Sequence, residues 1–307
     1  MDYDTLIDAE IWTFIRHTAT LYPEDAVETS PEAQRQVYED LCKAYRAPCP
    51  EGVTAQDLSA DGVPVRVYTA GQPSKTVLYV HGGGFVVGSL QTHDDICAEI
   101  CAQTGYRVVA VDYRLSPEHA HPAAFDDCWA ATNWARSEFG DEIVLAGDSA
   151  GGTLAASVAH HARGRLDGIL GLVLIYPALG GDMDQGSYLE HAEAPMLTRE
   201  DMVYYMEVRH GGPAPAGDVT SEPLQDSDYA DLPPTVIFTA DCDPLRDDGR
   251  DYRDRIREAG GQVFWINEPG LVHSYLRARH SAAVARDSFE RITVAIEALG
   301  QGIWPYE

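Results

Sequence analysis

Lysine is almost missing from this chain. Lys43 and Lys75 are its two examples in 307 residues, and the other basic residues are arginines. Lysine and arginine together number 22 against 49 acidic residues, for a formal charge of −27. So acidic a surface repels phosphate backbones and anionic headgroups, which argues against nucleic acid and membrane as partners. Long apolar runs are missing too. No stretch approaches the ~20 residues that cross a bilayer. The start, Met1-Asp2-Tyr3-Asp4, lacks the basic and apolar regions of a signal peptide. Cysteine is sparse: Cys42, Cys49, Cys97, Cys101, Cys128 and Cys242 are scattered through the chain. The expectation is reduced thiols in a cytoplasmic protein. Cys97 and Cys101 stand four apart on one face of an expected helix, without histidines at zinc spacing, and read as core residues. His119 and His121 flank a turn and lack a third ligand. No metal and no cofactor is expected, and nothing repeats internally.

What the chain does have is alternation. Hydrophobic residues make up 45%, enough for a sizeable core. Val63–Thr69 alternates as a half-buried strand does. Val77–Val80, Arg107–Val111, Glu142–Ala146 and Ile169–Ile175 are short continuous apolar runs, as in strands buried on both faces. Helical patterns separate them at Asp94–Gln103, Pro122–Ser137 and Thr153–Arg163. Strand–helix alternation predicts an α/β fold, with a mostly parallel sheet and helices on both faces. Before it, residues 1–50 read as two helices, with Ser30 capping the second and Pro31 at its first position. After Tyr176-Pro177, residues 180–230 turn rich in Gly, Pro, Asp and Glu around one helix from about Thr198 to His210. That is too long for a plain loop and reads as an insertion. Thr235–Phe238 resumes the sheet. A helix to Ala259, a strand at Gln262–Ile266 and a last helix near Ala282–Leu299 follow.

Two Gly-rich stretches sit at strand ends. Gly147-Asp148-Ser149-Ala150-Gly151 puts a serine at a sharp strand-to-helix turn, where flanking glycines leave room for the hydroxyl. The helix N-terminus there favours developing negative charge. His81-Gly82-Gly83-Gly84-Phe85 can bring backbone N–H groups close to a substrate oxygen. Gly82, Gly83 and Ala150 are the candidate donors of an oxyanion hole.

With HGGGF at 81–85, DYRLSPEH at 112–119, GDSAGG at 147–152, DPLRDDG at 243–249 and GLVHSYL at 270–276, the chain resembles the bacterial hormone-sensitive-lipase family of the α/β-hydrolases. These segments span about two thirds of the chain, in the family's order. The resemblance implies the α/β-hydrolase fold. It divides the chain into an N-terminal cap part (1–50), the catalytic core (51–179), an inserted cap segment (180–230) and the rest of the core with the acid and base loops (231–307). Two departures stand out: Thr153 where asparagine is common, and Ser274-Tyr275 where Gly-Phe is common. The 112–118 segment is expected to fix a loop through ion pairs and hydrogen bonds.

A nucleophilic serine needs a base within reach and a carboxylate behind it, in α/β-hydrolases in the order Ser, Asp or Glu, His. His160 and His161 lie too far along the serine's own helix. His191 and His210 fall in the insertion, and His280 is expected to begin the last helix. His273, in the loop after the last strand, remains as base. For the acid, the residues alone leave Asp241, Asp243, Asp247 and Asp248 open, all near one strand end. The resemblance selects Asp243, with Asp247 next. The expected function is hydrolysis of carboxylic esters, short acyl esters by resemblance, through Ser149, His273 and Asp243. Phe85, Met202, Tyr205 and Met206 are candidate pocket residues. An amidase or arylformamidase with the same triad is the alternative enzyme. A non-catalytic receptor on this scaffold is the alternative from another class, and the presence of His273 argues against it. The apolar last strand is expected to pair with a second copy, because an open apolar edge invites association.

Overall fold

The computed structural model describes residues 1–23, 29–140 and 142–306. Residues 24–28 of the expected N-terminal cap part lie outside the described residues. The chain opens with α1 (Tyr3–Leu6), α2 (Ala9–Leu21) and α3 (Pro31–Tyr45). Asp8 caps α2 by accepting from Glu10 N at 2.7 Å, and Ser30 caps α3 by accepting from Ala33 N at 3.3 Å. The sheet then begins with β1 (Val53–Ala60), β2 (Val63–Ala70), β3 (Thr76–Val80) and, after α4 (Asp94–Thr104), β4 (Arg107–Val111). It continues through α5 (Ala123–Phe139), β5 (Ile143–Asp148), α6 (Ala150–Ala162) and β6 (Ile169–Ile175). Two helices follow, α7 (Gly186–Glu190) and α8 (Arg199–His210). The chain ends with β7 (Thr235–Cys242), α9 (Arg246–Glu258), β8 (Val263–Val272) and α10 (Ala283–Gly300).

The eight strands lie in the order β1-β2-β4-β3-β5-β6-β7-β8. β2 runs antiparallel to both neighbours, and the pairs from β4 to β8 are parallel. Alternate residues feed two cores. Val77, Tyr79, Val144 and Ala146 join one cluster with Ile96, Phe289 and Ile292 of α4 and α10. Leu78, Val80, Ile143 and Leu145 join the other with Phe125, Leu154 and Tyr252 of α5, α6 and α9. A strand buried on both faces needs apolar residues at every position, which is why these strands read as continuous apolar runs. Cys97 and Cys101 are packed in the first cluster, and all six cysteines are free. Among the described residues no helix is long and apolar enough to cross a membrane.

The structure departs from the expectation in five places. β1 is an added strand, and α1 and α7 are added short helices. β8 continues past Ile266 to Val272, so His273 follows a strand end directly instead of sitting in a long loop. His280 lies before α10 rather than at its first residue, and its Nε2 stands 2.8 Å from Glu99 Oε1.

Candidate active site

The turn from β5 into α6 places Ser149 at φ +52 and ψ −123, a left-handed conformation for a non-glycine residue. The two glycines permit it. A Cβ on Gly151 would lie 2.0 Å from Val80 O, and one on Gly147 would lie 2.4 Å from Gly151 O. Ser149 N donates to Ile175 O at 2.8 Å, which ties the turn to β6.

The ends of three parallel strands, β5, β7 and β8, bring distant residues together. Ser149 Oγ stands 2.9 Å from His273 Nε2. His273 Nδ1 stands 2.7 Å from Asp243 Oδ2. If the serine hydroxyl donates to Nε2, the imidazole hydrogen sits on Nδ1 and donates to the carboxylate. Asp243 is fully buried, and its other oxygen accepts from Leu245 N at 2.9 Å. The other three aspartates are engaged elsewhere. Asp241 accepts from Asn267 Nδ2 at 2.7 Å. Asp247 accepts from Ser187 N at 3.0 Å and pairs with Arg246 and Arg250. Asp248 accepts from Leu179 N at 2.7 Å, and burial pushes its carboxyl up to about 7 despite that bond. The remaining candidate histidines have partners of their own: His160 bonds Asp226 and Tyr252, and His210 bonds Met206 O and Ser221.

The oxyanion expectation needs one correction. Gly82 N–H donates to Asp148 Oδ1 at 3.1 Å, so it is not available to a substrate. Gly84, at φ +59, lines the cavity together with Gly83 and Ala150. The buried Asp148 carboxylate also accepts from Tyr79 Oη at 2.8 Å, and His93 Nε2 stands 3.3 Å from it. Burial opposes its ionisation, but His93, Tyr79 and Arg277 outweigh that and hold the carboxyl well below its ordinary range. A buried acid beside Ser149 must find donors, and the first glycine of the 81–85 turn is one of them.

The rest of that turn is braced from several sides. Tyr113 stacks on His81 with ring centroids 4.3 Å apart and donates to His81 O at 2.9 Å. Ser116 N donates to Phe85 O at 2.9 Å. Arg35 of α3 donates from Nε to Val86 O at 2.9 Å and pairs with Glu118. Arg114 pairs with Asp127. The 112–118 segment thus fixes a loop, as its charges suggest. Arg209 of α8 lies 3.8 Å over the Phe85 ring.

Ser149 and His273 open onto a cavity of about 310 Å³. Of the candidate pocket residues, Phe85, Met202 and Tyr205 line it. Met206 does not; it packs on the core clusters that contain Phe85 and Leu179 and Tyr188 and Leu245. Asp201, Met202 and Tyr205 mark the cavity face of α8, and Met206 stands a further 100° round from Tyr205. Sequence reasoning missed the opposite wall. Phe14, Ile15, Tyr22, Tyr38 and Leu41 from α2, α3 and the segment after α2 line it, with Arg277. Their helical spacing was visible, but spacing does not say whether an apolar face meets protein or a cavity. Thr153, one of the departures, donates from its hydroxyl to Ala178 O. Tyr275, another, is buried and bonded to Ser288. Ser274 lines the cavity. Among the described residues, Asp95, Glu99 and His280 could together approach a metal ion, but Arg279 already pairs with both carboxylates.

Known proteins place this geometry in context. Residues 77–277 match the family model described as alpha/beta hydrolase fold. Esterase LipI of Mycobacterium tuberculosis is 38% identical over 301 residues, which cover 90% of this chain and 91% of that protein. Ethyl acetate hydrolase of Pseudomonas putida is 29% identical over 303 residues, 93% of this chain and 94% of that one. A solved structure of a Pyrobaculum calidifontis esterase superposes with a TM-score of 0.84 at 29% identity, covering 95% of this chain and 99% of that one.

Proposed function

The chain belongs to the hormone-sensitive-lipase-type family of α/β-hydrolases and is a carboxylic ester hydrolase, and from that premise we propose that it works through a covalent acyl-enzyme on Ser149. His273 Nε2 takes the hydroxyl proton as Ser149 Oγ attacks the ester carbonyl carbon. The carbonyl π bond opens, and its oxygen carries the negative charge toward the N–H groups of Gly83, Gly84 and Ala150. When the tetrahedral intermediate collapses, the C–O bond to the alcohol breaks and His273 returns the proton to the leaving oxygen. Water then attacks the acyl-enzyme by the same route, releasing the acid and the free serine. Asp243 holds the Nδ1–H tautomer and stabilises the charged imidazole.

One observation carries this reading: the hydrogen-bonded line from Asp243 through His273 to Ser149, ending at a cavity. Short acyl esters are its substrates. A cavity of about 310 Å³ suits small ligands, and one relative is named for hydrolysing ethyl acetate. The same reading includes a cap from residues 1–50 and 180–230, a homodimer through β8 and a cytoplasmic place of work.

Ser149→Ala tests the mechanism. The variant should fold and lose on the order of 10⁶ in turnover of a 4-nitrophenyl short-chain ester. An organophosphate should add its mass to the wild type and not to the variant. A folded variant that keeps a tenth of the wild-type rate would falsify the proposal.

A further inference from the structure

Arg277 takes no part in the chemistry just described, yet it lines the same cavity as Ser149. It sits four residues after His273, in the short 3-10 turn Tyr275–Ala278, and is 7% exposed. A buried guanidinium ordinarily has a carboxylate against it, because an unpaired charge away from water is costly. Among the described residues, no salt bridge to Arg277 is formed. Its contacts are to groups other than carboxylates: Nη1 donates to Thr92 O at 2.9 Å and Nη2 to Tyr38 Oη at 3.0 Å, with His93 Nε2 3.5 Å from Nη2. Asp148, whose field reaches it, is already held by Tyr79, Gly82 and His93.

Tyr38 of α3 lines the cavity as well. Its oxygen accepts from Arg277, so its own hydrogen is left for another acceptor. The group beside it is the Cys42 thiol, which burial pushes up to about 11. At neutral pH that thiol is uncharged and a weak acceptor. A hydroxyl polarised by a cation is a strengthened donor. The neighbouring wall, Phe14, Ile15 and Leu41, is hydrocarbon.

We propose that Tyr38, backed by Arg277, is a hydrogen-bond subsite for an acceptor oxygen on the body of the substrate, so that esters carrying a further carbonyl are preferred to plain alkyl esters. The acceptor is uncharged. An anion would meet Asp148 and Asp201 in the same cavity as Arg277, whereas a ketone or amide oxygen gains the donor without that repulsion. The inference rests on the esterase reading above and specifies its substrate class. The oxygen can stand on the acyl or the alcohol side.

Two matched pairs test it. 4-Nitrophenyl 4-oxopentanoate is compared with 4-nitrophenyl pentanoate, and 4-oxopentyl acetate with pentyl acetate. Each kcat/KM is divided by the ester's rate with hydroxide, which removes intrinsic reactivity. The wild type should favour the oxo ester about tenfold in at least one pair, the scale of one good hydrogen bond. Tyr38→Phe keeps the ring against Arg277 and removes the donor, so that ratio should fall toward one. Because the readout is a ratio, a general loss of rate in the variant does not imitate the result. Melting temperatures measured alongside show whether the variant is folded. Ratios near one in both wild-type pairs, or a preference that survives in Tyr38→Phe, overturn the subsite and leave ester hydrolysis standing. No turnover of any of the four esters overturns the esterase reading and the subsite with it.

Discussion

Ser149 holds a backbone conformation that costs a non-glycine residue roughly 1–3 kcal/mol, and its surroundings leave the chain no alternative. Gly147 and Gly151 allow strand and helix to approach until a single methyl would collide with Val80 O. That pattern is local, so the proposed nucleophile was legible from five consecutive residues. His273 was legible as the candidate base from its place after the last expected strand, whereas the residues alone left Asp243 among four aspartates near one strand end and the family resemblance selected it. The oxyanion donors were not legible. Which glycine N–H stays free depends on Asp148, 66 residues after Gly82, turning its carboxylate back onto that turn. Asp248 supplies a prediction at this scale. Burial raises its folded carboxyl to about 7, against about 4 in an unfolded chain. The folded form therefore binds a proton that the unfolded form releases. Its favourable contribution is complete below about pH 4 and is lost as pH rises through about 7. Asp248→Asn resembles the protonated state and can still accept from Leu179 N. The stability of the variant relative to wild type should grow by roughly 1 kcal/mol per pH unit between pH 5 and 7. Urea unfolding at several pH values measures it, and parallel stability curves would contradict the assignment.

At the scale of elements, strands buried on both faces and well-capped helices were readable, and elements without a buried face were not. β1, Val53–Ala60, is exposed along most of its length, so no apolar pattern marks it. α7 is five residues long, too short to show a period. Glu268-Pro269-Gly270 resembles a turn, yet β8 runs through it, because Cys242 pairs with Val272 beyond an irregularity in the ladder. α8 was legible as a helix: Thr198 and Asp201 form a capping box and Gly211 ends it in the left-handed conformation. Its faces were not, and that decides how the acyl pocket should be tested. Tyr205 lies so close to Gly84 that a Cβ there would stand 2.3 Å from its ring. Removing that ring disturbs the oxyanion turn as well as the pocket. Met202 is the cleaner probe, being buried and lining the cavity. Each added methylene that finds room gains about 0.8 kcal/mol. Met202→Ala should therefore move the optimum of kcat/KM to longer acyl chains. Met206→Ala should lower the melting temperature and leave the optimum where it is. Chain-length profiles of both variants decide this. The opposite pattern would return Met206 to the pocket.

At the scale of the molecule, the sheet ends in a strand with one neighbour. Among the described residues β8 pairs with no strand but β7; Tyr306 stacks on Phe264 with ring centroids 4.3 Å apart and Asp8 N donates to Gly270 O at 3.1 Å, and no further strand adds to the edge at Val263–Ile266. An open edge invites a second copy. Sedimentation at micromolar concentration should give twice the mass of 33.6 kDa, and Ile266→Lys should shift it toward the monomer. A wild type that sediments as a monomer throughout that range rules the dimer out. The cavity has a different consequence for the chain as a whole. Its walls run from Phe14 to Arg277, with Ser149 and the 83–87 turn between them. During synthesis α2 and α3 leave the ribosome before His273, and on the proposed mechanism no ester is cleaved until His273 has folded beneath them. A chain that ends before His273 is therefore inert rather than unselective. On that mechanism, the appearance of product reports that the chain from Ser149 through His273 has reached its native arrangement.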